Sequence, residues 1–448
     1  METAETRQTK SIVLRPVGRL DSVTSVEFQA ELLAAVAIPA DVVVDFSAVE
    51  YISSAGLRAL MTAAKLKSPD RHIAVAALND FVREIFTIAR FLHVVTIVAR
   101  VEDADDAWRA TAGAASAPPA ARPQGSDAIH CVRFWGSRGS LPAPIGAAAV
   151  RDKVAAALLA ARGRNFETKE AIFDFIDREL PFAVHATFGG NTSCVEIACG
   201  GDEYVLCDLG TGAREFGNRV LTEHGVGKKH CFNVFLSHVH WDHIMGFPFF
   251  GPAYIPGNVI RIHGCHSVLQ EAMQRQQSDP CFPVDFRSLG ATIECVPLEA
   301  GKTYEVAGLS VTPIKQFHAG DSYGYRFATD RGAVVYSTDC EHKYKALDET
   351  YPFVPFFRDA GVLIFDAMYS LADAISVKED WGHSSNIAAV ELAQLARVKR
   401  LVLFHHEPAY NDQMIEAVLR ETIRFEEISR ADHKVEVIAA YDGLEIEI

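Results

Sequence analysis

Residues 237–244 read SHVHWDHI, so three histidines and an aspartate fall within six positions directly behind the apolar run CFNVFL. In extended chain His238 and His240 project to the same side, because the period of a strand is two. They can grip one ion. If the chain then bends into a helix, Asp242 and His243 are carried past that ion toward a second position. Nitrogen and carboxylate donors without thiolate suit zinc, with manganese or iron as alternatives. Two divalent ions roughly 3.5 to 4 Å apart can share a hydroxide, a nucleophile at neutral pH, and can anchor phosphoryl oxygens in an in-line displacement. The octet reads as most of a hydrolytic two-metal centre.

Downstream, strand-like runs lead to His318 in IKQFHAGDSYGYRF, to Asp339 in VVYSTDC, and to His405 and His406 in RLVLFHHEP. Asp208 closes YVLCDLGTG, and His383 opens a helical pattern in DWGHSSNIAAVELA. The H-x-H-x-D-H order, with these downstream positions, resembles the metallo-β-lactamase superfamily over residues 128–448. That resemblance implies an αββα sandwich and two divalent metal ions. One would be held by His238, His240, His318 and Asp339, the other by Asp242, His243, Asp339 and His405. It makes Asp208 the carboxylate that orients metal histidines, and His383 the acid that protonates the leaving oxygen. Turnover would depend on Asp242 and His383.

Several segments narrow the resemblance. FWGSRGSLPAP, FGGNTSCVEI, DLGTGAREFG and HVHWDHIMGFPFFGPAYIPG together are similar to bacterial phosphodiesterases of this fold, including enzymes that open cyclic nucleotides. The H-x5-GYR setting of His318 is also that of the ribonuclease Z branch. Arg138 and the Gly-Gly-Asn-Thr turn, with Asn191 and Thr192, are candidates to meet phosphate oxygens. Tyr325 is a further candidate substrate contact. Trp241, Phe247, Phe249, Phe250 and Tyr254 are candidates to stack on a base.

The elements that must position these residues fall into two α/β units. The stretch GAASAPPAARPQGSD is small and Pro-rich and reads as a linker over residues 113–127, between a unit at 1–112 and a hydrolase unit at 128–448. In the second unit many strand-like runs with few helices between them predict two stacked sheets with helices outside, plus a helical insertion at 146–182. In the first, strand and helix signals alternate, which predicts a small sheet covered by helices. Its stretch DFSAVEYISSAGLRAL resembles the anti-sigma-factor-antagonist (STAS) family, whose D-S-S-G-L turn carries a phosphorylated serine. That position is Ser54, with Ser53 where the family has Asp. A phosphate there would sit at a helix N-terminus, and Ser53 or Ser54 would otherwise serve as the helix cap. The resemblance implies a kinase or anti-sigma-type protein partner.

The 448 residues carry a formal net charge of −15, which repels nucleic acid and anionic membrane. Nine cysteines without a C-x-x-C pair exclude a thiolate zinc site, and no apolar stretch is long enough to span a bilayer. The chain reads as cytoplasmic, and the related phosphodiesterases imply a homodimer. The function expected is a phosphodiesterase for a cyclic or other small nucleotide, with the first unit as signal input. The alternatives are a ribonuclease Z-like RNA nuclease, and a partner-switching regulator whose hydrolase fold is a binding platform.

Overall fold

The computed structural model describes residues 11–21, 24–68, 71–88, 95–113, 129–199, 203–342, 350–369 and 380–448. The chain divides into two compact units, Met1–Ala120 and Ala121–Ile448. Beyond Gly113, the expected linker lies outside the described residues.

In the first unit, strands β1 (Ile12–Leu14), β3 (Val42–Asp45), β5 (Ile73–Ala76) and β6 (Thr96–Val98) form a parallel sheet in the order β1-β3-β5-β6. Val42 and Val44 pack on helices α1 (Thr24–Val36) and α2 (Ser54–Leu66), while Val43 packs with Ala74, Ala76 and Trp108 on the other face. Burial on both faces explains the unbroken VVV run. A second parallel pair, β2 (Gly18–Leu20) with β4 (Val49–Ile52), leads into the Ser-Ser turn. Ser53 is the N-cap of α2, its Oγ accepting from Ala55 N at 3.2 Å, and Ser54 is the first helical residue.

The second unit holds two seven-stranded sheets. The first runs β12-β11-β10-β9-β8-β7-β20, with β7 (Ile129–Gly136), β8 (Cys194–Cys199), β9 (Glu203–Cys207), β10 (Cys231–Phe235), β11 (Val259–Gly264), β12 (Thr292–Pro297) and β20 (Glu445–Glu447). The second runs in sequence order: β13 (Tyr304–Val306), β14 (Leu309–Lys315), β15 (Tyr323–Thr329), β16 (Gly332–Ser337), β17 (Val362–Asp366), β18 (Arg400–Phe404) and β19 (Glu436–Ala439). Phe134, Val205 and Phe235 of the first sheet meet Tyr325, Phe327, Tyr336 and Phe404 of the second in the central core. Apolar clusters that include helical residues cover the outer faces, completing an αββα sandwich.

Register brings the chemically rich segments level. Cys207 of β9 pairs with Phe235 of parallel β10, so Asp208 and the SHVHWDH segment leave the sheet side by side. In the other sheet Ser337 pairs with Phe365, and Asp366 with Phe404, all in parallel strands. Asp339, Asp366 and His405 therefore emerge together at carboxyl ends. Crevices outside such strand ends are where open α/β sheets place ligands. The insertion forms helices Ala147–Ala160 and Lys169–Glu179, and no residue of the first is buried.

Candidate metal centre

The octet folds as its residue order requires. After β10 the chain stays extended through His240, then turns into a four-residue helix, Trp241–Ile244. His238, Asp242 and His243 are buried, and His240 is exposed. His238 Nε2 lies 2.9 Å from His240 Nδ1, and His318 Nε2 lies 3.3 Å from the same atom. These three histidines form one donor set; Asp242, His243, Asp339 and His405 form a second.

Asp339 joins the two. Its Oδ1 is 3.2 Å from His243 Nε2 and 3.3 Å from His405 Nε2, while its Oδ2 is 3.6 Å from His238 Nε2 and 3.7 Å from His318 Nε2. Asp242 Oδ2 lies 3.1 Å from His243 Nε2 and 3.2 Å from His405 Nε2, and accepts from Ser140 N at 2.8 Å. Asp208, Asp339 and His405 each adopt a left-handed backbone, with φ of 60°, 48° and 62°. For non-glycine residues this conformation costs on the order of 1–3 kcal/mol each, and it clusters at functional sites.

Two family descriptions match the sequence: a beta-lactamase superfamily domain over residues 204–406, and a Mlab-type STAS domain over residues 3–97. Ribonuclease Z of Oceanobacillus iheyensis is 22% identical over 242 residues, covering 42% of this chain and 75% of that protein. BtrV of Bordetella bronchiseptica, named as an anti-sigma factor antagonist, is 34% identical over 94 residues, covering 20% of this chain and 81% of BtrV. The chain is a STAS domain fused to a metallo-β-lactamase domain. Among solved structures, the metallo-β-lactamase-fold protein YhfI of Bacillus subtilis is 17% identical with a TM-score of 0.47, over 71% of this chain and 98% of YhfI. Human tRNase Z, short form, is 19% identical with a TM-score of 0.42, over 70% and 98%.

The metallo-β-lactamase fold implies divalent metal ions and hydrolytic chemistry, and the donors fit such a group. Nδ1 of His243 faces Asp208 Oδ2 at 2.7 Å, which leaves Nε2 buried, without a hydrogen bond of its own and aimed between two carboxylates. Burial opposes charge on His243, but Asp242, Asp339 and Asp208 outweigh it and hold its pKa well above the usual value. Burial likewise opposes ionisation of Asp242 and Asp339, yet the surrounding histidines push both well below the carboxylate range. His238 is driven the other way, chiefly by burial and then by His243, so it stays neutral with a lone pair to offer. A cluster that keeps carboxylates charged and demands compensating positive charge suits cations.

Asp208 is fully buried and accepts from Ser237 N, Ser237 Oγ and Tyr336 Oη at 2.7 Å each, besides facing His243. His383 has Nδ1 2.8 Å from Asp366 Oδ2, with its ring 5.2 Å from that of His318 and 5.1 Å from that of His405. Burial lowers its pKa, but Asp366 and the more distant Asp339 and Asp242 outweigh this and raise it to about 9. His406 is turned away: its Nε2 donates to Ala440 O at 2.8 Å.

The structure corrects five of the substrate-contact expectations. Arg138 is buried, its guanidinium donating to Gly189 O, Glu407 O and Tyr410 O, so it ties loops together instead of meeting phosphate. Thr192 is fully buried, its Oγ1 accepting from Thr211 N. The Tyr325 hydroxyl donates to Leu236 O inside the core. Phe247 and Phe250 are core residues, whereas Trp241 and Phe249 are 73% and 60% exposed. Asn191 is half-buried at the wall of a cleft beside the centre.

Two residues went unread in the sequence. Asp366 ends an apolar strand just as Asp208 and Asp339 follow theirs, and that shared pattern was the available signal. Glu341 accepts from the N–H groups of Asp380 and Gly382 at 3.1 and 3.2 Å, and Gly382 O lies 2.9 Å from His318 Nδ1. It thereby braces His318 through the backbone, a role only the folded chain reveals.

Proposed function

We infer that the metallo-β-lactamase domain is a dinuclear-metal phosphodiesterase for a cyclic or other small nucleotide, with zinc as its ion and the STAS domain as signal input. Asp339 carries this reading, because its two oxygens face two different donor sets. His238, His240 and His318 would hold one ion with Asp339 Oδ2; Asp242, His243 and His405 would hold the other with Oδ1. Two such ions supply a nucleophile at neutral pH and anchor phosphoryl oxygens. The chain does the rest. Asp208 fixes the His243 tautomer so that Nε2 faces inward. Asp366 holds His383 Nδ1, which leaves Nε2 to deliver a proton to the departing oxygen.

The net charge of −15 favours a small substrate over a long RNA. The ribonuclease Z relatives favour a second reading, cleavage of RNA. For the STAS domain, BtrV's name supports partner-switching, with Ser54 as phosphoacceptor at the start of a 13-residue helix and a kinase or anti-sigma-type protein as partner. Nine free cysteines suit a reducing compartment such as the cytoplasm.

The test is metal analysis of purified protein, followed by turnover of bis(4-nitrophenyl) phosphate, cyclic mononucleotides, short RNA and pre-tRNA. The expected result is two ions per chain and fastest cleavage of a small nucleotide, abolished in Asp242→Ala. Preference for pre-tRNA selects the second reading. A folded, zinc-loaded protein that cleaves no phosphodiester overturns both.

A further inference from the structure

Beside the metal centre lies a cleft of about 520 Å³ whose walls are extensions of the segments that build the centre. One wall, with Pro142, Pro144 and Ile145, follows Ser140, whose N–H holds Asp242. The opposite wall, with Phe249, follows the helix that carries Asp242 and His243. Asn191 and Arg214 supply polar groups to the lining.

The cleft is preformed. Asp442 accepts from Gly190 N and Asn191 N at 3.0 and 2.9 Å, and Ala143 N donates to Gly190 O at 2.9 Å, which locks the two loops together. The insertion helix Ala147–Ala160 leaves the first wall directly, and its Lys153 Nζ reaches Asp412 Oδ2 and Ala186 O, each at 2.7 Å. The insertion thus braces one side of the cleft, a structural reason for its presence.

The lining chemistry selects the occupant. The cleft is mainly apolar, which suits a flat hydrophobic body and not an ion. The N–H groups of Thr211, Gly212 and Ala213, where an anion would dock, are already committed to Thr192 and Gly210. Arg214 sits at the rim with its charge shared by Glu215 at 2.9 Å, and its guanidinium plane and the Phe249 ring are stacking surfaces. The Asn191 amide offers a donor and an acceptor side by side, the pattern that matches a base edge.

We propose that this cleft is a nucleobase subsite, receiving the base of a nucleotide whose phosphodiester lies at the metal centre. The proposal rests on the phosphodiesterase reading and adds the part of the substrate that the metal ions do not contact.

The experiment compares thymidine 5′-(4-nitrophenyl phosphate) with methyl 4-nitrophenyl phosphate, which share the leaving group and differ by the nucleoside. In zinc-loaded wild type the nucleoside ester should have a kcat/KM at least about fivefold higher, the lower end of what one stacked base contributes. Ile145→Trp, which fills the cleft from its exposed loop, should bring that ratio close to one. Phe249→Ala, at an exposed side chain, should lower the ratio at least about threefold and stands in if the first variant does not fold. Saturation-transfer NMR with thymidine 5′-monophosphate should show saturation of the thymine methyl in wild type and its loss in Ile145→Trp. Equal kcat/KM values in wild type, or a ratio and methyl signal that both variants leave unchanged, overturn the subsite alone. Wild type that cleaves neither ester overturns the phosphodiesterase reading and the subsite with it.

Discussion

Replacing Glu341 by Gln tests whether a residue that touches neither ion nor substrate governs the His238/His240/His318 set. The Glu341 carboxylate accepts two backbone N–H groups, from Asp380 and Gly382, and the Gly382 carbonyl fixes His318 Nδ1. A glutamine side chain has one acceptor oxygen, so one of the two bonds loses its acceptor and the other loses its charge. A hydrogen bond to a charged group contributes about 1.5–3 kcal/mol, and the half-buried position of Glu341 selects the lower end, about 1.5 kcal/mol. If that energy holds residues 380–382 against His318, its loss lowers affinity for the ion at this set about tenfold, within the range for outer hydrogen-bond partners of metal ligands. The second set lacks this support and should keep its affinity within about twofold, since a tenfold change is 1.4 kcal/mol. Stepwise zinc titration against a chromophoric chelator resolves the two constants, with urea unfolding as a check on the fold. Two constants both within twofold of wild type would refute the claim that Glu341 acts through Gly382.

Asp366→Asn removes the carboxylate that holds His383, so cleavage with an alkoxide leaving group should slow by about a hundredfold, while 4-nitrophenyl esters, which need no proton, should slow far less. A leaving-group series measures this, and equal losses across it would show that Asp366 serves only the fold. His342 is buried among Phe353, Phe365 and Tyr351, with Nδ1 2.8 Å from the Tyr351 hydroxyl, and burial lowers its pKa to about 3. Because the unfolded chain takes up that proton first, near pH 6.5, the stability is complete above that pH and is lost as pH falls toward 3. At pH 5 the loss is about 2 kcal/mol, from 1.5 pH units at about 1.4 kcal/mol each. Urea unfolding at pH 7.5 and pH 5 should show a smaller difference in His342→Phe than in wild type; parallel profiles would contradict the assignment.

The metal centre was legible because donor identity is local. His238, His240, Asp242 and His243 announce themselves within one octet, and His318, Asp339 and His405 each follow an apolar run long enough to be read as a strand. The sandwich was legible for the same reason, whereas short edge strands such as Tyr304–Val306 and Glu445–Glu447 carry too few residues for a period to show. The Arg138, Thr192 and Tyr325 contacts failed for a different cause. Arginine, threonine and tyrosine bond equally well to phosphate and to backbone, and nothing in a linear sequence says which carbonyls will surround Arg138 or Tyr325. Asp366 and Glu341 acquire their partners only when β17 and residues 380–383 are brought beside the centre.

The division of donors between the two sheets has a mechanical consequence. Four of the seven come from the chain after β10 in one layer, and His318, Asp339 and His405 come from the other. Ions gripped by both would staple the layers along this rim, adding their binding free energy to cohesion between the sheets. Chelation would then remove a rivet as well as a reagent, and the rim would be the first seam to part on heating.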